Sequence, residues 1–275
     1  MRLQERCTSF LQNEQHKPFK PVKPFKYSML KKFKADLHIH TCLSPCADLH
    51  MSPLEITNTA SKNGLDIIAI TDHNSAQNVM SVKKAAKKTG LTVFAGMEVT
   101  SAEEVHILAI FEEVESLMKL QDIVYENLTP GENDAKRFGE QVLVNEKNEV
   151  LGFNKRILLS STALTVHSVV NTIHSLGGLS FAAHIDREAF SLISQLGFIP
   201  DEAGFDALEM SPLIDRETAE RLFKDYSSFS WITASDAHQL EDIGKRTSSF
   251  YIKEASFAEI TYALKNIDGR EVTWE

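Results

Sequence analysis

Five short clusters of histidine and carboxylate residues punctuate this chain, and each closes an apolar run: His38-Ile39-His40, Thr71-Asp72-His73, Gly96-Met97-Glu98, His184-Ile185-Asp186 and Ser235-Asp236-Ala237-His238. Imidazole and carboxylate groups lose hydration when a fold gathers them, and a bound cation is the usual compensation. A single His-x-His is compatible with ordinary packing. Five clusters behind strand-like segments call for a fold that delivers strand ends to one place. A parallel sheet with helical crossovers does this, because its strands all finish on one side.

Strand and helix signals alternate along the chain. Phe33 to His40 alternates like a strand, and Ser52-Pro53-Leu54-Glu55 combines an N-cap serine, a proline at the first helical position and a glutamate in the first turn. That helix stops at Asn63-Gly64, and Asp66 to Thr71 is a continuous apolar run of the buried parallel kind. Further strands are expected over 91–99, 104–111, 179–184, 206–210, 231–235 and 248–252. Helices are expected over 78–88, 113–127, 166–176, 188–196, 215–226 and 257–267, with a polar-tipped hairpin over 141–151 inside a small insert around 129–160. About seven β/α units predict one α/β domain whose sheet closes into a TIM-like barrel, with chemistry just past the strand C-termini.

The bulk composition agrees with this. An apolar share of 43% in 275 residues is enough for one sizeable core. No run approaches the roughly 20 apolar residues of a membrane span. The first residues lack the apolar core of a secretory signal, and three cysteines make no disulfide framework, so a protein of the reducing cytoplasm is expected. Residues 1–34 carry nine Lys or Arg against two Glu, a net of +7, which leaves −16 for the rest. The Lys/Pro-rich stretch 1–33, with His16, is expected to be a flexible leader to a domain over 34–275. An acidic body argues against broad nucleic-acid binding, leaving at most a short oligonucleotide as a nucleic-acid partner.

The clusters have metal-ligand character. Residues i and i+2 of a strand face the same way, so His38 and His40 pair, as do Asp236 and His238. Glu98 ends a strand behind Gly96, where a carboxylate needs a cation or hydrogen-bond partners. His106 opens the next apolar run, and a packed strand histidine is the simpler alternative there. Nitrogen and oxygen donors of this kind suit Zn, Mn or Fe, and more than four of them imply two or three divalent ions.

The order His-x-His, Thr-Asp-His, Gly-x-Glu, a strand His, Ala-His and Ser-Asp-x-His resembles the PHP (polymerase and histidinol phosphatase) superfamily, over roughly Lys34 to the C-terminus. Within it the chain looks most similar to stand-alone metal-dependent phosphoesterases, some of which act on nucleoside 3′,5′-bisphosphates or the 5′ ends of short RNA. The resemblance implies a distorted seven-stranded (β/α)7 barrel and a three-metal site, with Mg also admissible. It implies His38, His40, His73, Glu98, His106, His184, Asp236 and His238 as ligands. A ninth is expected in the loop after His40, where the family usually has Asp or His. Counting back from Pro53 selects Asp48, counting forward from His40 selects Cys46, and His50 is within reach. Asp48 is preferred as an oxygen donor, and Cys42 and Cys46 are taken as loop thiols.

Asp72 is expected to orient a ligand. Arg187 is the candidate clamp for a substrate phosphate, with pairing to Asp186 or Glu188 as the alternative; Lys245 and Arg246 are weaker candidates. His167 and His174 share a helix face and are expected to be structural. The expected reaction is hydrolysis of a phosphomonoester (a nucleotide, a short oligonucleotide 5′ end or a metabolite phosphate) by metal-activated hydroxide. Two alternatives stand beside it. An amidohydrolase-like barrel also opens with His-x-His, but calls for a mid-chain bridging lysine and a lone final aspartate. A non-catalytic metal-binding accessory module, of the kind attached to polymerases, is the other.

Overall fold

A computed structural model of the protein describes residues 29–274, so most of the basic leader, with His16, lies outside the described residues. The strands are β1 (Lys31–Ile39), β2 (Ile67–Ile70), β3 (Thr92–Thr100), β4 (His106–Phe111), β5 (Val142–Val144), β6 (Val150–Phe153), β7 (Leu179–Ala182), β8 (Ala207–Met210), β9 (Trp231–Thr233), β10 (Ser248–Ile252) and β11 (Glu271–Trp274). The helices are α1 (Pro53–Lys62), α2 (Val79–Ala85), α3 (Val114–Asn127), α4 (Ala135–Phe138), α5 (Val166–Ser175), α6 (Leu192–Leu196), α7 (Arg216–Leu222) and α8 (Phe257–Leu264). None of these helices is long and apolar enough to cross a membrane.

Nine strands form one nearly closed sheet in the order β11-β10-β1-β2-β3-β4-β7-β8-β9, and β5 and β6 form a separate hairpin. The seven-stranded count expected from sequence is therefore not met. Uniform β/α repetition is not met either, since β1/β10, β10/β11, β3/β4 and β4/β7 are antiparallel. The reason is visible between β3 and β4. A parallel crossover needs about a dozen residues, and only Ser101 to Val105 separate the two strands, so the chain must double back. At the other end β11 lies beside β9, and at the mouth Ile39 bridges Ala237 in parallel, bringing the segment after β9 against the end of β1.

Leu37, Ala69, Phe94, Leu108, Phe181, Ala207, Ile232 and Phe250, from eight strands, meet in one apolar cluster with Ile260 and Ala263 of α8. This is the barrel interior. A second cluster joins the outer faces of the strands to α1, α2, α3 and α5 through Ile56, Val82, Leu120 and Val169. Leu37 belongs to the interior cluster, yet Ile39, two residues on, belongs to the helix-facing one. The β1/β2 register shifts between Asp36 and Ile39, and this irregularity changes the pleat phase. It turns His38 and His40 inward above the apolar plug.

Candidate metal centre

At the mouth His38 and His40 are fully buried, and Glu98 is 1% exposed between them and the neighbouring histidines. Glu98 is placed by close strand packing: a Cβ on Gly96 would lie 2.8 Å from the Ile70 carbonyl oxygen, so only glycine lets β3 approach β2 there. Its Oε2 is 2.9 Å from His73 Nδ1 and 3.4 Å from His40 Nε2. Its Oε1 is 2.8 Å from His106 Nδ1, 3.3 Å from His184 Nε2 and 3.5 Å from His38 Nε2. Asp236 Oδ1 lies 3.2 Å from both His38 Nε2 and His40 Nε2. His106 reaches the group from the start of its strand, since β4 runs opposite to its neighbours.

Hydrogen bonds behind the rings select the nitrogens that face inward. His38 Nδ1 is 3.0 and 3.1 Å from the two Glu209 oxygens and donates to that carboxylate. His40 Nδ1 donates to Ser44 Oγ at 3.0 Å; that hydroxyl donates to Asp72 Oδ1 at 2.7 Å and also accepts the His73 backbone N–H. His238 Nδ1 donates to the Asp236 carbonyl at 2.8 Å. Each Nε2 therefore presents its lone pair to the interior. His38 Nε2 and His40 Nε2 stand 3.1 Å apart, about the separation of two ligands on one tetrahedral zinc at roughly 2.05 Å each.

Buried His73 Nδ1 and Glu98 Oε2, though close, lack hydrogen-bond geometry, and His184 Nδ1 has no partner either. An unpartnered buried lone pair, as on the Glu98 carboxylate or a deprotonated His73 Nδ1, fits a cation. Three overlapping triads have ligand atoms within 4.8 Å of one another: His40/His73/His238, His38/His40/Glu98 and His73/Glu98/His106. Burial alone would raise the carboxyl of Glu98, but His106, His73 and His38 outweigh it and hold the group well below the usual carboxylate range. Asp236 is likewise held down against burial, chiefly by His38 and His40. Burial pushes the His106 ring down to about 4, leaving it neutral and ligand-ready.

Eight of the expected ligands thus converge. Asp48 is not among them: its half-exposed carboxylate turns to His50, accepting from its backbone N–H and lying 2.7 Å from its Nδ1. Cys46, on the same loop, is exposed and belongs to none of the three ligand triads. Desolvation raises its thiol, but hydrogen bonding to His238 and His73 prevails and brings it down to about 7. Cys42 is separate, with its thiol against Val142 and pushed up to about 12 by burial. Asp72 accepts from Thr41 N, Thr41 Oγ1 and Ser44 Oγ, each at 2.7 Å, and so acts on His40 through Ser44.

Arg187, one-third exposed, pairs with neither Asp186 nor Glu188 but with Asp236 Oδ2 at 2.7 Å. Asp186 binds Ser211 instead. Arg246 donates to the Pro212 and Ile214 carbonyls and Lys245 pairs with Asp242, so neither is directed at the centre. His167 binds Asn171 and His174 binds Asp206.

Sequence reasoning missed Glu209, 1% exposed on β8, whose carboxylate also accepts the His184 backbone N–H at 3.1 Å. A lone glutamate inside Ala207–Met210 was the available signal. It also missed Phe190, whose ring stacks on His106 at 4.6 Å and 14°. Several mouth residues hold left-handed backbone: Asn74 (φ 47°), His184 (φ 30°), Phe190 (φ 58°) and Asp236 (φ 49°).

A barrel with histidines and acids converging at one mouth defines an α/β-barrel protein with a candidate metal centre. A family model for the PHP domain matches residues 36–196, more than half of the chain, and the chain belongs to the PHP family. The uncharacterized protein YqxK of Bacillus subtilis (strain 168) is 23% identical over 257 residues, covering 88% of this chain and 64% of that protein. A 5′-3′ exoribonuclease of Haemophilus influenzae is 22% identical over 195 residues, covering 57% of this chain and 69% of the enzyme. The crystal structure of the lesion-specific endonuclease PfuEndoQ from Pyrococcus furiosus superimposes with a TM-score of 0.71 at 22% identity, over 88% of this chain and 58% of that one. The chain thus spans under two-thirds of both YqxK and the endonuclease. The comparisons thus show the PHP family and the fold.

Proposed function

We propose that the protein hydrolyses a phosphoester of a nucleotide or of a nucleic-acid end, at a centre of two to three divalent ions. His38, His40, His73, Glu98, His106, His184, Asp236 and His238 are the proposed ligands. What carries the proposal is the 3.1 Å approach of His38 Nε2 and His40 Nε2, each with its other nitrogen already committed as a donor. Two lone pairs at that distance repel unless a positive charge sits between them. With Glu98 and Asp236 the buried centre also offers two carboxylates beside the histidines, enough to hold more than one divalent ion.

When bound, such ions supply Lewis acidity toward phosphate oxygens and lower the pKa of a water toward neutrality. The side chains do the rest. Glu209 and the Asp72–Ser44 relay lock the rings of His38 and His40 against rotation. Glu98 presents both oxygens to several ligand positions at once. Arg187, held beside the centre by Asp236, offers a guanidinium fork to a non-bridging phosphate oxygen. Phe190 shields His106 from solvent on one face. The neighbours that act on nucleic acid, the exoribonuclease and the lesion-specific endonuclease, favour a nucleotide-bearing substrate over a sugar phosphate.

The test is a phosphoester panel assayed with Mn, Zn and Mg: mononucleotides, a 3′,5′-bisphosphonucleotide, 5′-phosphorylated oligonucleotides and a duplex with an abasic site. At least one nucleotide phosphoester should turn over. His38→Ala and Asp236→Ala should abolish turnover while the protein stays folded by circular dichroism. A protein that binds metal yet cleaves none of the panel would instead be a metal-binding accessory module.

A further inference from the structure

The loop between β7 and α6 carries Arg187 and, further on, Phe190. Its backbone is held at several points. The Arg187 N–H donates to the His184 carbonyl at 3.0 Å, and the Ser191 hydroxyl donates to the Arg187 carbonyl at 2.7 Å. The Phe190 carbonyl accepts the His106 N–H at 2.9 Å. Phe190 is thus bonded to the first residue of β4 through its backbone and stacked on that residue through its ring.

A φ of 58° is unfavourable for a bulky side chain, and glycine or asparagine would adopt it more readily. The phenylalanine ring does not offset this strain by joining the core. It belongs to neither large apolar cluster, and the residue is 41% exposed. His106 covers one face of the ring, nearly parallel to it, so the opposite face is the one left open. The edge of His106 enters the centre, with Nδ1 2.8 Å from Glu98 Oε1. An open aromatic face therefore stands one stacked ring away from the candidate metal centre. The same loop aims the Arg187 guanidinium at that centre, through its contact with Asp236.

We propose that Phe190 is the base-stacking residue of the site, taking the nucleobase of the substrate on its open face while Arg187 and the centre hold the phosphate. This rests on the phosphoesterase reading above and deepens it by naming the part of the substrate, apart from phosphate, that the chain recognises. Every nucleobase has a π-face, and stacking on an aromatic side chain is tolerant of base identity. A sugar phosphate has no such face and gains nothing from the ring. A mononucleotide and the unpaired terminal base of an oligonucleotide offer the same chemistry.

The test is equilibrium binding to the full chain in the presence of Zn or Mn. The probe is a 2-aminopurine nucleoside 5′-phosphonate, with carbon in place of the ester oxygen so that it is not hydrolysed. Its fluorescence falls when the base stacks. The same probe is also placed at the 5′ end of a short oligonucleotide, and a ribose phosphonate without a base is measured by displacement. The wild type should quench the probe on binding, and the tighter of the two probes names the source of the base. Phe190→Leu keeps an apolar cover on His106 and meets the same backbone strain, so it isolates the aromatic face. It should weaken the base-bearing probes about tenfold and the base-free analogue by less than about threefold, and Phe190→Trp should restore affinity and quenching. Binding without quenching, equal losses for both analogues, or no binding by a protein that turns over the phosphoester panel overturns the stacking role and leaves the proposed function standing. No binding together with no turnover overturns both.

Discussion

Glu209 touches the centre through the His38 ring and the His184 backbone N–H, and its effect belongs to single residues. A carboxylate that takes the Nδ1 proton of a ligating histidine fixes the tautomer and strengthens Nε2 as a donor. Glu209→Gln should weaken metal binding by about 10–100-fold in calorimetric titration, with the fold intact. An unchanged affinity would mean that His38 is not a ligand. Arg187→Ala should raise KM for the phosphoester about tenfold or more while kcat changes less, because a phosphate clamp acts mostly on binding. At this scale the sequence was informative where ligands recur at i and i+2, as in His38/His40 and Asp236/His238. It was silent on Glu209, which approaches His38 from 171 residues away and looks, in sequence, like a stray charge in a strand. The loop ligand was ambiguous for a different reason. Counting from the helix start selects Asp48, but in the folded loop that carboxylate turns to His50.

Among the elements, β1 does most to make the site, because its irregular register moves two histidines from the helix-facing side to the mouth. No pattern of hydrophobicity announces a shift of one residue. Most strands and helices were legible from alternation and from cap residues such as Ser52 and Pro53. The reversal of β4 was readable only from the brevity of Ser101 to Val105, and β11, with Glu271 and Thr273 among its four residues, lacks the apolar run that marks the buried strands. That last strand is tied down by Arg270, just before it, whose Nε and Nη2 each donate to Glu259 of α8 at 2.8 Å. The Arg270 hydrogen bonds hold the Glu259 carboxyl below the usual carboxylate range. A depressed carboxyl stabilises above its unfolded value and loses that contribution as pH falls through the folded one. Glu259→Gln should therefore lower Tm by a few degrees at pH 7, with the deficit shrinking below about pH 4. An equal deficit at both pH values would show that the carboxylate charge is not what matters.

For the whole molecule, the centre is a concentration of buried polar groups directly above the apolar plug. Folding without ions leaves these groups crowded against one another, with His38 Nε2 and His40 Nε2 only 3.1 Å apart. Metal binding should therefore stabilise the fold by mass action. Ions at about 1,000 times their Kd contribute about 4 kcal/mol per site. At roughly 2–4 °C per kcal/mol for a domain of this size, chelation should lower Tm by on the order of 10 °C or more. Scanning calorimetry with and without chelator, followed by zinc or manganese add-back, measures this. A Tm indifferent to chelator would argue that the ions are held weakly or not at all.

The left-handed backbone at Asn74, His184 and Asp236 has a consequence for how this site can vary. Among side chains other than glycine, Asn, Asp and His tolerate that conformation best, and Asp and His are also the residues that bind hard or borderline metals. At His184 and Asp236 one choice of amino acid solves two problems, chain direction and ligand chemistry. A glutamate at 236 would keep a carboxylate but oppose the turn, and a glycine would ease the turn but remove the ligand. The substitutions open to the barrel mouth are therefore far fewer than metal chemistry alone would allow.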